Sequence, residues 1–206
     1  MIHVFHGFLG SPSDLSFLGQ QVKLHDLYAE MLDPQITPED TLIGYSMGGR
    51  KALELASSSG FKKLVLINAH PGLATAEEKN QRAKWEDSVL DKLRTSSKEE
   101  FLTYWNSLEI FRSDAPLVDV SDEIFANSAE LFERYRLSKQ KYFLPLLEQY
   151  REKILWVIGS ADEKYRTLAQ TVLLPAGFRC AFVTGGHRLF QNQGELLGVL
   201  HHENVL

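Results

Sequence analysis

Apolar residues in this chain fall into two kinds of pattern. Near both ends they form short unbroken runs: Ile2 to Phe5, Leu27 to Leu32, Thr41 to Ile43, Lys62 to Asn68, Ile154 to Gly159 and Arg179 to Thr184. Runs of this length without alternation are expected of strands covered on both faces, as in a parallel sheet. Between them lie helical signals. Leu15, Phe17, Leu18 and Val22 follow a possible cap at Ser13 or Asp14, and Thr37-Pro38-Glu39-Asp40 has the form of a short helix start. Ala52, Leu53, Leu55 and Ala56 continue a helix that should end at Ser57-Ser58-Ser59-Gly60, and Glu195 to His202 predicts a closing helix. Strand, helix, strand in alternation predicts an α/β sheet with right-handed crossovers.

From Ala74 to Tyr150 the pattern changes. Charged and aromatic residues rise and strand-like runs vanish. Helical stripes take over, with Trp85, Val89 and Leu93 on one and Phe101, Tyr104, Trp105 and Leu108 on another. That length exceeds what a single crossover needs. The expected organisation is a core of residues 1–73 and 151–206, with a helical lid of residues 74–150 inserted over the end of its sheet.

Composition narrows the field. With 206 residues, 44% of them hydrophobic and 24% charged, the chain suits one large domain with a substantial core. A net charge of −5 argues against nucleic acid and against anionic membrane surfaces as partners. No run approaches the ~20 apolar residues of a membrane span, and Ile2-His3-Val4-Phe5 lacks the marks of a signal peptide, so a cytoplasmic protein is expected. The single cysteine, Cys180, allows no intrachain disulfide and sits in a strand as an inert thiol. No closely spaced set of His, Cys and carboxylates suggests a metal, and no cofactor is expected. Oligomeric state leaves no mark in the sequence.

The candidate chemistry begins at Leu42-Ile43-Gly44-Tyr45-Ser46-Met47-Gly48-Gly49-Arg50, an apolar run that breaks into Gly-x-Ser-x-Gly and opens a helix. This is the form of a nucleophile elbow, in which a sharp strand-to-helix turn lifts a serine hydroxyl out of the sheet. Glycines are needed at 44 and 48 because a Cβ there would strike the neighbouring strand or helix. A glycine-flanked serine can also be an ordinary loop. The elbow, however, predicts an acid after a later strand and a histidine after the last one, and Ser160-Ala161-Asp162 and Gly185-Gly186-His187 stand at those places. His187 would take the Ser46 proton while Asp162 holds the other ring nitrogen. Backbone N–H groups of Phe8, in the loop His6-Gly7-Phe8, and of Met47 would form an oxyanion hole. Among the seven histidines His6 is expected to shape that loop, and His70 is a weaker candidate for the pocket.

These residues resemble the α/β-hydrolase superfamily through His6-Gly7-Phe8, Gly44-Tyr45-Ser46-Met47-Gly48, Asp162 and Gly186-His187. Within it the chain is similar to the 2-succinyl-6-hydroxy-2,4-cyclohexadiene-1-carboxylate synthases, menaquinone-pathway lyases that expel pyruvate from an enolpyruvyl cyclohexene. Arg50, one turn beyond the serine, carries that likeness. It is joined by Pro71-Gly72-Leu73, Arg82, Phe101 with Trp105 before Ile110-Phe111, Arg136 and Asp162-Glu163-Lys164. The resemblance implies a trimmed, mostly parallel sheet with helices on both faces and a helical lid. It also implies a small carboxylated substrate, with Tyr45, Arg50, Arg82, Trp105, Arg136 and Lys164 as binding residues. Ser46 would then abstract a ring proton rather than form an acyl-enzyme. The chain departs from the family at Asp33-Pro34, where glycines are trimmed, and at Gln191-Asn192-Gln193, where a glutamate-proline region is usual. A carboxylesterase or thioesterase on the same three residues is the second reading, and a catalytically silent binding protein the third.

Overall fold

A computed structural model describes residues 1–29 and 34–206. Six strands form one sheet: β1 (Ile2–Phe5), β2 (Val22–His25), β3 (Thr41–Tyr45), β4 (Lys63–Ile67), β5 (Ile154–Gly159) and β6 (Arg179–Val183). Their order is β2-β1-β3-β4-β5-β6, and every neighbouring pair is parallel.

Period-two alternation sorts the central strands onto two cores. Leu42, Leu64, Leu66, Trp156 and Ile158 face one side, where α1 (Met47–Ser59) contributes Ala52, Leu53 and Leu55. Ile43, Val65, Ile67, Leu155 and Val157 face the other, against Leu15, Leu18 and the Leu196 and Leu200 of α7 (Gln193–His202). Burial on both faces is the reason these strands read as unbroken apolar runs.

Two elements differ from the sequence expectation. Pro12–Leu18 is a 3-10 turn entered through Ser11, whose N–H donates to Asp14 Oδ2 at 3.0 Å, and Val22 belongs to β2 rather than to a helix. Of the expected strand Leu27 to Leu32, residues 27–29 form a turn, and 30–32 lie outside the described residues, as does Asp33. Thr37–Asp40 is a single turn in which the Thr37 amide and hydroxyl donate to Asp40 Oδ2, each at 2.9 Å.

All elements between β4 and β5 are helical. They comprise α2 (Ala76–Thr95), α3 (Lys98–Asn106), α4 (Asp122–Arg134), α5 (Leu144–Leu147) and intervening 3-10 turns. Polar caps start the long ones: Thr75 with Glu78, Ser97 with Glu100, and Ser121. One residue ties α2 to the turn that follows α4. Glu86, fully buried in α2, accepts from Arg82 Nε (2.9 Å), the Leu137 amide (2.8 Å), Arg136 Nε (3.3 Å) and the Ser138 amide and hydroxyl. After β5, α6 (Glu163–Leu168) runs into a π-helical turn, Ala169–Leu173.

Candidate active site

The parallel register brings the carboxyl ends of β3, β4, β5 and β6 to one edge, the edge where ligands meet open α/β sheets. Ser46 follows β3 directly and holds φ +51°, a left-handed value that a serine adopts only when the surroundings enforce it. Those surroundings are tight. A Cβ on Gly44 would lie 2.5 Å from the Gly49 Cα, and one on Gly48 would lie 2.2 Å from the Phe5 carbonyl oxygen. Only bare backbone lets α1 start so close to β1 and β3.

Across from Ser46 stands His187, on the loop after β6. Its Nε2 is 2.9 Å from Ser46 Oγ, and its Nδ1 is 2.7 Å from Asp162 Oδ2. Asp162 is buried and uses its other oxygen, Oδ1, to cap α6 by accepting the Tyr165 amide at 3.1 Å. Hydrogen-bonding both oxygens leaves the carboxylate no freedom to turn from the imidazole. Tyr45, Phe111 and Tyr165 enclose the ring, with centroids 5.7, 5.5 and 5.2 Å away.

Beside this line of three residues opens a cavity of about 400 Å³. Phe8, Trp85, Trp105, Leu108, Phe111 and Phe132 give it an apolar wall. Arg50, Arg82 and Lys164 give it a cationic one. Arg50 reaches back from α1, and its Nη1 donates to the Tyr135 carbonyl. Its Nε is buried and finds no acceptor among the described residues. Burial, then the neighbouring Arg82, lowers the Arg50 pKa to about 10. Lys164 borders the cavity although the residue as a whole is exposed, and desolvation together with Arg82 and Arg50 brings its ammonium down to about 8. Arg82 lies over Trp85, 4.1 Å from the ring centroid. Among the described residues these three cations have one direct carboxylate partner, Glu86, and the site is short of negative charge.

Met47 is the first residue of α1, so its N–H has no partner within the helix, and the Phe8 N–H has no acceptor among the described residues. Both residues line the cavity beside Ser46.

The remaining expected binding residues divide. Trp105 lines the cavity. Tyr45 does not: it borders a narrow side space of about 30 Å³ that shares Ser46 and His187 with the cavity. The expectation for Arg136 is corrected, because its guanidinium is consumed elsewhere, by Glu86, Glu133, Asp87 (2.7 Å) and the Ala83 carbonyl (2.9 Å). His70 stands outside the cavity wall, with Nδ1 accepting from the Gly72 amide at 3.2 Å, and burial lowers its pKa to about 3. His6 shapes its loop as expected. Its Nε2 accepts the Leu27 amide at 2.9 Å, which leaves Nδ1–H to donate to the Gly7 carbonyl at 2.8 Å.

Sequence reasoning missed Asn68, Asp114 and Arg188. Asn68, at φ +42° after β4, donates to the Gly186 and His187 carbonyls (3.1 and 2.9 Å) and accepts from the Gly159 amide (3.0 Å). Its place at the end of a central strand was the available signal. Asp114 and Arg188 join the loop after α3 to the histidine loop, and no local pattern announces them.

No family model matches the chain. The 2-succinyl-6-hydroxy-2,4-cyclohexadiene-1-carboxylate synthase of Photorhabdus laumondii is 28% identical over 158 residues, 72% of this chain and 57% of that protein. The chain therefore spans little more than half the length of that relative. A putative synthase of the same name from Bacillus subtilis is 27% identical over 204 residues, 93% of this chain and 70% of that protein. Among solved structures, MenH from S. aureus superposes with a TM-score of 0.78 at 22% identity, covering 99% of this chain and 94% of that one. The chain has the α/β-hydrolase fold, and in sequence it is similar to the 2-succinyl-6-hydroxy-2,4-cyclohexadiene-1-carboxylate synthases.

Proposed function

We propose that the chain is a lyase that eliminates pyruvate from an enolpyruvyl cyclohexene carboxylate to give 2-succinyl-6-hydroxy-2,4-cyclohexadiene-1-carboxylate. The observation that carries this reading is the cationic wall beside Ser46. An ester hydrolase needs a serine, a base and an oxyanion hole; it has no general need for Arg50, Arg82 and Lys164 in the same cavity. A substrate bearing several carboxylates does, and the Arg50 Nε–H, which has no partner among the described residues, is a donor for one. The names of the relatives agree with it.

In this reading Ser46, His187 and Asp162 act as a catalytic triad. His187 Nε2 takes the Ser46 proton, and Asp162 keeps Nδ1 protonated and stabilises the imidazolium. The serine oxygen then removes a ring proton next to a ketone. The Met47 and Phe8 amides hold the enolate oxygen; as its electrons return they pass through the ring double bond and break the C–O bond to the enolpyruvyl group, which takes the proton held by His187 and leaves as pyruvate. Residues 74–150 serve as the lid, supplying Arg82, Trp85 and Trp105 to the cavity. The protein would work in the cytoplasm on a small carboxylated molecule, without nucleic acid, membrane or cofactor.

Pyruvate release from the enolpyruvyl precursor, followed with purified protein, tests the proposal. Release that is lost in Ser46→Ala supports it. Hydrolysis of short p-nitrophenyl esters without pyruvate release would replace it with the esterase reading.

A further inference from the structure

Asp114 lies in the loop after α3, yet both its carboxylate oxygens are spent on the histidine loop. Oδ2 accepts the His187 amide at 3.0 Å, and Oδ1 accepts the Arg188 amide at 3.1 Å. The carboxylate occupies the space a side chain would need at residue 186, since a Cβ on Gly186 would lie 2.4 Å from Asp114 Oδ1. Arg188 returns the contact. It is buried, donates to the Ala115 carbonyl (2.7 Å) and Asn106 Oδ1 (2.8 Å), and lies 4.1 Å over the Phe111 ring. Phe111 in turn meets the His187 ring edge-on at 5.5 Å. Four residues of one segment therefore grip two consecutive residues of another, 73 positions away in the chain.

We propose that Asp114 is a positioning residue for His187, fixing its backbone so that Nε2 faces Ser46 and placing a negative charge near the imidazole. The inference rests on Ser46 and His187 working as a pair, and goes beyond it. A carboxylate that accepts two successive amides sets both the position and the tilt of that peptide, and the imidazole inherits both. The charge matters separately. His187 is faced by Asp162 and Tyr165 from the loop after β5 and α6, by Tyr45 and Ser46 from the end of β3, and by Asp114 from the loop after α3, with Arg188 next to it in sequence. Removing the Asp114 charge makes an imidazolium there costlier, so the acidic limb of any His187-dependent rate moves to lower pH.

The test is the second-order rate of Ser46 labelling by a fluorophosphonate probe, measured against pH on the full chain, with Ser46→Ala as the unlabelled control. Asp114→Ala should slow labelling on the order of a hundredfold, as for a misplacement of about 1 Å. Asp114→Asn keeps one acceptor oxygen, and should slow labelling on the order of tenfold, with its acidic limb displaced to lower pH. Wild-type labelling rates in both variants overturn the proposal, as do equal losses in both with the limb unmoved, which is how a merely loosened loop behaves. Should Asp114→Ala fail to fold by circular dichroism, the isosteric Asp114→Asn decides alone: slower labelling with a moved limb supports the proposal, and anything else overturns it. A wild-type chain that is itself unlabelled sinks the pairing of Ser46 with His187, and this inference with it.

Discussion

His187 Nε2 and Ser46 Oγ face each other at 2.9 Å while the serine backbone is held at φ +51°. Geometry and strain coexist at one residue, which separates two effects of mutation. Ser46→Ala removes the hydroxyl and keeps a Cβ in the left-handed region; Ser46→Gly removes both. Each should abolish turnover, but the glycine variant should be more stable than the alanine variant by about 1 kcal/mol. Urea unfolding of the two variants gives the difference, and equal midpoints would mean that the turn stores no strain.

Arg50 offers a buried Nε–H with no acceptor among the described residues, so its binding energy should be reserved for carboxylates. Arg50→Ala should raise KM for a carboxylated substrate on the order of a hundredfold and leave that for a neutral ester near the wild-type value. Comparing KM for one ester with and without a carboxylate measures this. Equal losses on the two would remove the reason for preferring the lyase.

Lys164 supplies a pH dependence with a definite sign. Desolvation and the two nearby arginines bring its ammonium to about 8, so it is charged below that pH and neutral above it. Affinity for a dicarboxylate such as succinate should therefore fall as pH rises through about 8. Arg50, at about 10, remains charged over that interval. In Lys164→Arg the fall should disappear, because a guanidinium does not titrate there. Calorimetric titration at pH 7 and 9 distinguishes the two.

Glu86 collects donors from α2 and from the turn after α4. Burial pushes its carboxyl up, but Ser138, Arg82 and the Leu137 amide outweigh that and hold it below the ordinary carboxylate range. A carboxyl lowered on folding adds stability above its unfolded pKa, and that stability is lost as pH falls through the folded value. Glu86→Ala, which takes the carboxylate from Arg82 and the acceptor from the Leu137 and Ser138 amides, should cost about 3–5 kcal/mol near neutral pH. Glu86→Gln should cost less and flatten the acid side of the stability curve, as followed by chemical denaturation between pH 3 and 7.

Much of this architecture is legible in the chain itself, for a physical reason. β3, β4 and β5 are buried on both faces, so their sequences are apolar without interruption. The exception shows the rule: Val22-Lys23-Leu24-His25 forms the edge strand β2, half-exposed and alternating, and the eye passes over it for the more apolar stretch that follows. The serine, acid and histidine are readable because each follows a strand at a fixed point in the order. Arg136 illustrates what is not readable, since its positive charge says nothing of Asp87 and Glu133, which claim it. Asp114 and Asn68 are hidden more deeply. Their partners are backbone groups 73 and 118 residues away, and backbone groups carry no sequence signature.

Asn68 carries a consequence for the chemical lifetime of the protein. Its side-chain nitrogen gives both of its hydrogens to the carbonyls of Gly186 and His187, while its oxygen accepts from β5. Direct hydrolysis of that amide to a carboxylate would change the side chain's shape and volume little. It would replace that nitrogen with an oxygen bearing negative charge, aimed at two carbonyl oxygens, and the loop that holds the histidine would be pushed from the sheet. The working lifetime of the site is thus tied to the persistence of a single nitrogen atom.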